Sequence, residues 1–260
     1  MLNIDHLSHH YGTHSVLHDL NADIEEGGFY AVMGVNGCGK TTLLHCLAGL
    51  TKPSEGRVAI DGCNIAQLSA RERARRIALV SQQQYIDFDF TAYEIVMMAR
   101  HPYQKRLQTE SAADCDIVEQ AMRQTSVWHL RDKLPNTMSG GERQRTMIAR
   151  ALAQQTPVIL LDEPLSNLDI SHQIEIMQLL TGINRREGKT ILMVLHDLPM
   201  AYRYCPSLLL IGHMTIDYIG STRQGLTPDR IRRTFGIEAT INGDHLALTY
   251  NRCENGEPTK

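Results

Sequence analysis

Two short stretches carry residues able to do chemistry. Gly34 to Thr41, GVNGCGKT, follows the spacing G-x-x-x-x-G-K-[ST] and lies between the apolar run FYAVM and an apolar, helix-like run beginning at Leu43. Gly34, Gly37 and Gly39 let consecutive backbone N–H groups curl around an anion without Cβ clashes. The helix that begins next adds its positive dipole end. Lys40 can reach the β- and γ-phosphates as a mobile point charge, and the Thr41 hydroxyl can ligate Mg²⁺. Asn36, Cys38 and Thr42 complete the expected set of nucleotide contacts. The second stretch, VILLDEP, is a buried strand ending in Asp162 and Glu163. A carboxylate at such a strand end can hold the metal through its water shell, and the next one can polarise an attacking water. Each stretch alone would also suit a structural turn. Together they predict binding and hydrolysis of a nucleoside triphosphate.

The elements around these residues belong to an ordinary globular chain. Its 260 residues are 42% hydrophobic and 21% charged, enough for one large domain, or a core with a smaller subdomain, and against disorder. A net charge of −3 argues against a basic surface wrapping nucleic acid. The local exception, RERARR at 71–76, reads as a solvated helix face. No apolar run approaches the roughly 20 residues that span a bilayer. The N-terminal segment lacks the basic start and apolar core of a signal peptide, so the chain is expected to stay where it is made. Six scattered cysteines without a C-x-x-C pair suit a reducing cytosol, and the early histidines fit no standard metal-ligand spacing.

Along the chain, LNIDHL, FYAVMG and RVAIDG read as strands, with a helix from about Lys40 to Leu50 between the last two. SARE at Ser69 has the form of a capping box, and IALVSQ returns as a strand. From Gln83 to about Gln155 the character changes: TAYEIVMMARH, TESAADCDIVEQAMRQT and SGGERQRTMIARALAQQ show helical apolar spacing, with no convincing strand between them. Alternation then resumes: buried strands PVILLDEP and TILMVLHD, helices HQIEIMQLLTGINRR and LPMAYRYC, then strands SLLLIG and HMTIDYIG. Continuous apolar strands alternating with helices predict a parallel sheet covered on both faces. TPDRIRRTFG supplies Thr227 as N-cap and Pro228 at the first helical position.

MSGGERQR, Met138 to Arg145, adds a third landmark. Ser139 and Glu142 form a capping box enclosing Gly140 and Gly141, a helix start with N–H groups and a positive dipole end for a second anion. With it the sequence resembles an ABC-type ATPase over nearly its whole length, the stretch matching the signature usually written LSGGQ. The resemblance implies an α/β P-loop NTPase fold: a core from 1–84 and 156–222 with a parallel sheet and an N-terminal antiparallel β-subdomain, a helical subdomain inserted at 85–155, and a C-terminal helix and strands at 223–260. It implies ATP and Mg²⁺ as ligands, and a homodimer in which the signature of one copy (Ser139, Gly140, Gly141, Glu142) closes over ATP held by the loop of the other. Gln82 matches the glutamine that contacts Mg²⁺ and the attacking water. Asp169, ending SNLD, matches the loop that crosses the dimer interface. His196 matches the histidine at the γ-phosphate, and Tyr11 the aromatic that stacks on adenine. Val35, Cys38 and Thr41 depart from the commoner Pro, Ser and Ser, Glu142 from Gln, and Leu165 from Thr. None removes a catalytic group, and Cys38 is expected to make the loop sensitive to thiol reagents.

HQIEIMQLL, VLHDLPMAYRYC, RRIALVSQ, ARHPY and TFGIEATI resemble one branch, the importer ATPases for iron–siderophore complexes, haem and vitamin B12. That resemblance implies a peripheral protein at the cytoplasmic side of the inner membrane. Its partners would be permease subunits, contacted through the 83–103 region, and indirectly a substrate-binding protein. An exporter subunit and a soluble assembly or scaffold ATPase of the iron–sulfur type are the alternatives.

Overall fold

The computed structural model describes residues 1–82, 90–104, 110–243 and 245–249. Its strands are β1 (Leu2–Tyr11), β2 (His14–Ile24), β3 (Phe29–Met33), β4 (Glu55–Ile60), β5 (Cys63–Asn64), β6 (Ile77–Val80), β7 (Val158–Leu161), β8 (Thr190–Val194), β9 (Ser207–Gly212), β10 (Thr215–Ser221), β11 (Glu238–Asn242) and β12 (His245–Thr249). The α-helices are α1 (Lys40–Leu47), α2 (Ala70–Ala74), α3 (Ala92–Met97), α4 (Ala112–Gln124), α5 (Gly140–Ala153), α6 (Ile170–Glu187), α7 (Leu198–Tyr204), α8 (Thr222–Gly225) and α9 (Pro228–Phe235).

The main sheet runs β10-β9-β3-β8-β7-β6. Its pairs from β9 to β6 are parallel. The parallel core expected from the sequence is extended at one edge by β10, which is antiparallel to β9. The cause is local. His213 and Met214 form a two-residue loop with φ of 46° and 68°, and two residues can join only antiparallel neighbours.

Side chains alternate across this sheet, and each face buries its own core. Ile159, Leu161, Ile191 and Met193 face a core completed by the helices from α3 to α7. Val158, Leu160, Leu192 and Val194 face a second core shared with α1 and the antiparallel sheet β2-β1-β4-β5. Each fully buried Leu or Ile contributes about 1.5–3 kcal/mol. Strand β2 was not visible as a strand in the sequence. Leu17 and Leu20 are both buried across Asp19, whose φ is 48°, and β1–β2 pairing shifts register three times, so the period-two pattern breaks.

Capping boxes start α2 (Ser69, Glu72), α3 (Thr91, Glu94), α4 (Ser111, Asp114) and α5 (Ser139, Glu142). Among the described residues no strand lies between β6 and β7. The basic run on α2 is not merely a solvated face. Arg71 Nε and Arg75 Nε donate to the Pro102 carbonyl at 2.7 and 2.9 Å, and Arg71 also donates to the Gln104 carbonyl. At the C-terminal end α9 is capped by Thr227 and stopped by Gly236, and the β11–β12 hairpin lies against α7. Residues 83–89, in the segment expected to meet a permease, and the tail from 250 lie outside the described residues.

Candidate nucleotide site

Four neighbouring parallel strands, β3, β8, β7 and β6, end on one edge of the sheet. The glycine loop follows β3, His196 follows β8, Asp162 and Glu163 follow β7, and Gln82 follows β6. Sheet order thus gathers residues far apart in sequence, at the strand ends where open α/β sheets bind ligands.

The loop needs its glycines for shape and for room. Gly34 has φ of 153°, and a Cβ there would lie 2.3 Å from the Ile211 carbonyl oxygen. Gly39, with φ of 96°, would place a Cβ 2.6 Å from Leu17 Cδ2. Gly39 is also the N-cap of α1 and offers no side-chain cap. The amides of residues 39–42 therefore have no intrahelical acceptor and are available to an anion. Lys40 is more constrained than a mobile point charge. It is buried, and its Nζ donates to the carbonyls of Gly34 at 2.9 Å and Val35 at 3.0 Å, which aim the ammonium along the loop.

Val16, Asn36, Gly37, Gly39 to Thr42, Glu163 and His196 line an open cleft. Within it the Glu163 carboxylate is held from both sides. Gln82 Nε2 donates to Oε2 at 2.6 Å, and His196 Nε2 lies 2.7 Å from Oε1. Glu163 itself sits in the left-handed region with φ of 47°, and its carbonyl accepts from the Ser166 hydroxyl at 2.8 Å. Thr41 Oγ1 donates to Asp162 Oδ1 at 3.2 Å. Asp162 is 2% exposed, and burial pushes its carboxyl above the usual carboxylate range, partly offset by the Thr41 hydroxyl. This all-oxygen pair, a hydroxyl beside a buried carboxylate, fits a hard divalent cation such as Mg²⁺.

Tyr11 does not line the cleft. It is 55% exposed at the end of β1, its ring edge-on to His9 with centroids 4.7 Å apart. Ser139, Gly140, Gly141, Glu142 and Asp169 also lie outside the cleft but gather with one another. A Cβ at Gly140 would come 3.2 Å from Leu168 Cδ2, and one at Gly141 would come 2.6 Å from His172 Cδ2. Only part of this helix start is open to an anion. Ser139 N–H donates to Glu142 Oε2 at 2.7 Å and Glu142 N–H to Ser139 Oγ at 3.2 Å, which leaves the amides of the two glycines.

The sequence family described as "ABC transporter" matches residues 17–166. The chain belongs to the ABC transporter family. This ABC ATPase is 41% identical to the ferric enterobactin transport ATP-binding protein FepC of Escherichia coli (strain K12), over 92% of the chain and 88% of that protein. It is 34% identical to the iron(3+)-hydroxamate import ATP-binding protein FhuC of Bacillus subtilis (strain 168), over 98% of the chain and 96% of that protein. Among solved structures it is similar to a dimeric ATP-binding cassette in a post-hydrolysis state bound to ADP and Pi. The TM-score is 0.75 at 31% identity, covering 86% of this chain and 99% of that one. The fold is that of a P-loop ATPase cassette, and ATP is its nucleotide.

One expectation is corrected for this ABC ATPase. Cys38 is 6% exposed, and burial pushes its thiol above the usual cysteine range despite the pull of the Lys40 charge, so it is a poor target for thiol reagents. Two residues escaped the sequence reading. Val16 lines the cleft but is one apolar residue in a strand, without any signal of its own. His172 contacts both Asp169 and Gly141, and the only hint was its place three residues after a helix N-cap.

Proposed function

We propose that this ABC ATPase works as a homodimer whose two composite sites bind ATP with Mg²⁺, and that its closure and hydrolysis drive a membrane permease importing an iron–siderophore complex, haem or cobalamin. Thr41, Asp162 and Gln82 would hold the cation, which supplies charge neutralisation at the phosphates. The loop amides and Lys40 grip the phosphates, and Tyr11 would move in over the adenine. Glu163, steered by Gln82 and His196, takes a proton from the attacking water, and His196 faces the γ-phosphate. Ser139, the two glycine amides, Glu142 and Asp169 act on the nucleotide of the second copy. Conformational work comes from the higher affinity of the closed dimer for ATP. Residues 85–155 are the helical subdomain on this reading, and the 83–103 region meets the permease at the cytoplasmic face of the inner membrane. Among the described residues no helix is long and apolar enough to cross a membrane. A substrate-binding protein would deliver cargo to the permease. The likeness to ferric enterobactin and iron–hydroxamate systems supports the cargo class.

The observation that carries the catalytic part is the Glu163 carboxylate, held between Gln82 and His196 beside the phosphate loop. Glu163→Gln should keep ATP binding, trap an ATP-bound dimer and lower turnover by about a hundredfold or more. Phosphate release and sedimentation measure both, and undiminished hydrolysis would rule Glu163 out as the base. Purification from native membranes tests the transport part. A stoichiometric polytopic membrane protein supports it, and a soluble complex alone refutes it.

A further inference from the structure

His172 is the third residue of the first turn of α6, whose N-cap is Asp169. The backbone part of that cap is ordinary. Asp169 Oδ1 accepts from His172 N–H at 2.9 Å, a bond any non-proline residue at 172 would make. The ring adds something else. Its Nδ1 lies 2.8 Å from both Oδ1 and Oδ2 of Asp169, and because a carboxylate only accepts, Nδ1 carries the proton. The opposite edge of the same ring lies over Gly141. A Cβ there would come 2.6 Å from His172 Cδ2 and 3.2 Å from Nε2, so the ring occupies the space that a side chain at 141 would need.

One imidazole therefore joins the two segments that lie outside this chain's own cleft. The loop behind it is tied down as well. Gln173 Nε2 donates to the Leu168 carbonyl at 3.0 Å and the Leu165 carbonyl at 3.2 Å. Among the described residues Oδ1 also takes the Ser171 hydroxyl at 2.8 Å, whereas Oδ2 takes only the ring and keeps acceptor capacity for an outside donor. The pair is too open to matter much for folding: the side chains are 33% and 63% exposed, and exposed ion pairs contribute little stability.

We infer that His172 is a positioning residue, one that sets the Asp169 carboxylate and the Gly140–Gly141 amides in a single register so that both reach the nucleotide of a second copy together. This rests on the reading above that two copies share their ATP sites. The position follows from how few groups could otherwise fix that register. Leu168 also packs against Gly140 and Arg145 pairs with Glu175 further along the two helices, but among the described residues the His172 ring is the side chain that meets both the Asp169 carboxylate and a signature glycine.

The test uses the full chain carrying Glu163→Gln, with MgATP as ligand and sedimentation velocity as readout. Adding His172→Ala should weaken the ATP-driven dimer about tenfold, the scale of a lost hydrogen bond to a charge. Affinity of the dilute monomer for a fluorescent ATP analogue should stay within about twofold, because the ring is not among the residues lining the cleft. His172→Asn, whose amide can stand where Nδ1 stood, should recover most of the dimer. Equal dimerisation of the His172→Ala protein overturns the inference, and so does a parallel loss of monomer binding, which would mean general damage. A parent Glu163→Gln protein that stays monomeric in MgATP overturns the shared-site reading itself.

Discussion

At the residue scale the site is a set of groups restrained by their protein neighbours. Lys40 is buried and tied to two carbonyls, and Glu163 takes a backbone conformation costing about 1 kcal/mol for a residue with a Cβ. Its carboxylate is nevertheless aimed into the cleft, gripped by Gln82 and His196. Cys38 shows the same economy, a small side chain packed under the loop against Gly34. With the nucleotide-free protein at pH 8, iodoacetamide should modify the exposed Cys63 about tenfold faster or more than Cys38, since thiolate fraction and access both disfavour the latter. Peptide mass spectrometry over a time course checks this. Equal rates would mean that the loop opens in solution.

At the element scale one guanidinium links three helical segments. Arg100, just after α3, donates from Nε to Asp114 Oδ1 at 2.8 Å in the cap of α4, and from Nη1 to the Ala153 carbonyl at 2.8 Å at the end of α5. Its plane covers the Tyr103 ring at 4.2 Å, and the Tyr103 hydroxyl donates to the Gln154 carbonyl at 2.8 Å. Both charged side chains are buried, 6% and 12% exposed. Removing one partner strands the other, so Arg100→Met should cost about 3 kcal/mol. The Ser111 hydroxyl and then Arg100 hold the Asp114 carboxyl below the usual carboxylate range. A lowered folded-state pKa gives stability that is present above about pH 4, the unfolded value, and is lost as pH falls through the folded one. Urea melts from pH 6 to pH 3 should show a steep acid loss in the parent and a shallower one in Arg100→Met. Identical acid limbs would mean that the pair does not titrate with folding.

At the scale of the whole molecule, the candidate site residues fall into two separate sets on one chain. The phosphate loop with Glu163 forms one. Ser139, the glycine amides and Asp169 form the other, outside that cleft, as expected of a protein that completes its sites by pairing. If so, a lone chain has half of each site, and ATPase activity per molecule should rise with protein concentration until the dimer saturates. Turnover measured over about a hundredfold dilution series at saturating ATP checks this, the range being set by weak, transient dimers. Constant specific activity would mean one chain suffices.

What the sequence determined by itself is what is written contiguously. The phosphate loop needs three glycines, a lysine and a hydroxyl within eight positions, and backbone amides do the rest, so Gly34 to Thr41 could be read directly. The capping boxes at Ser69 and Ser139 are legible for the same reason, being hydrogen bonds between residues three apart. The buried strands around Ile159 and Ile191 announce themselves as apolar runs. Tertiary structure decided the rest. Bulges hid β2, and a two-residue loop turned β10 against its neighbours. Only folding could bury Cys38, bring Arg100 onto Asp114 and the end of α5, or lay the His172 ring on Gly141. These outcomes depend on which surfaces pack together and in what strand order. Packing of that kind is set by the sum of many weak, non-local contacts, and it leaves no mark on the residues one by one.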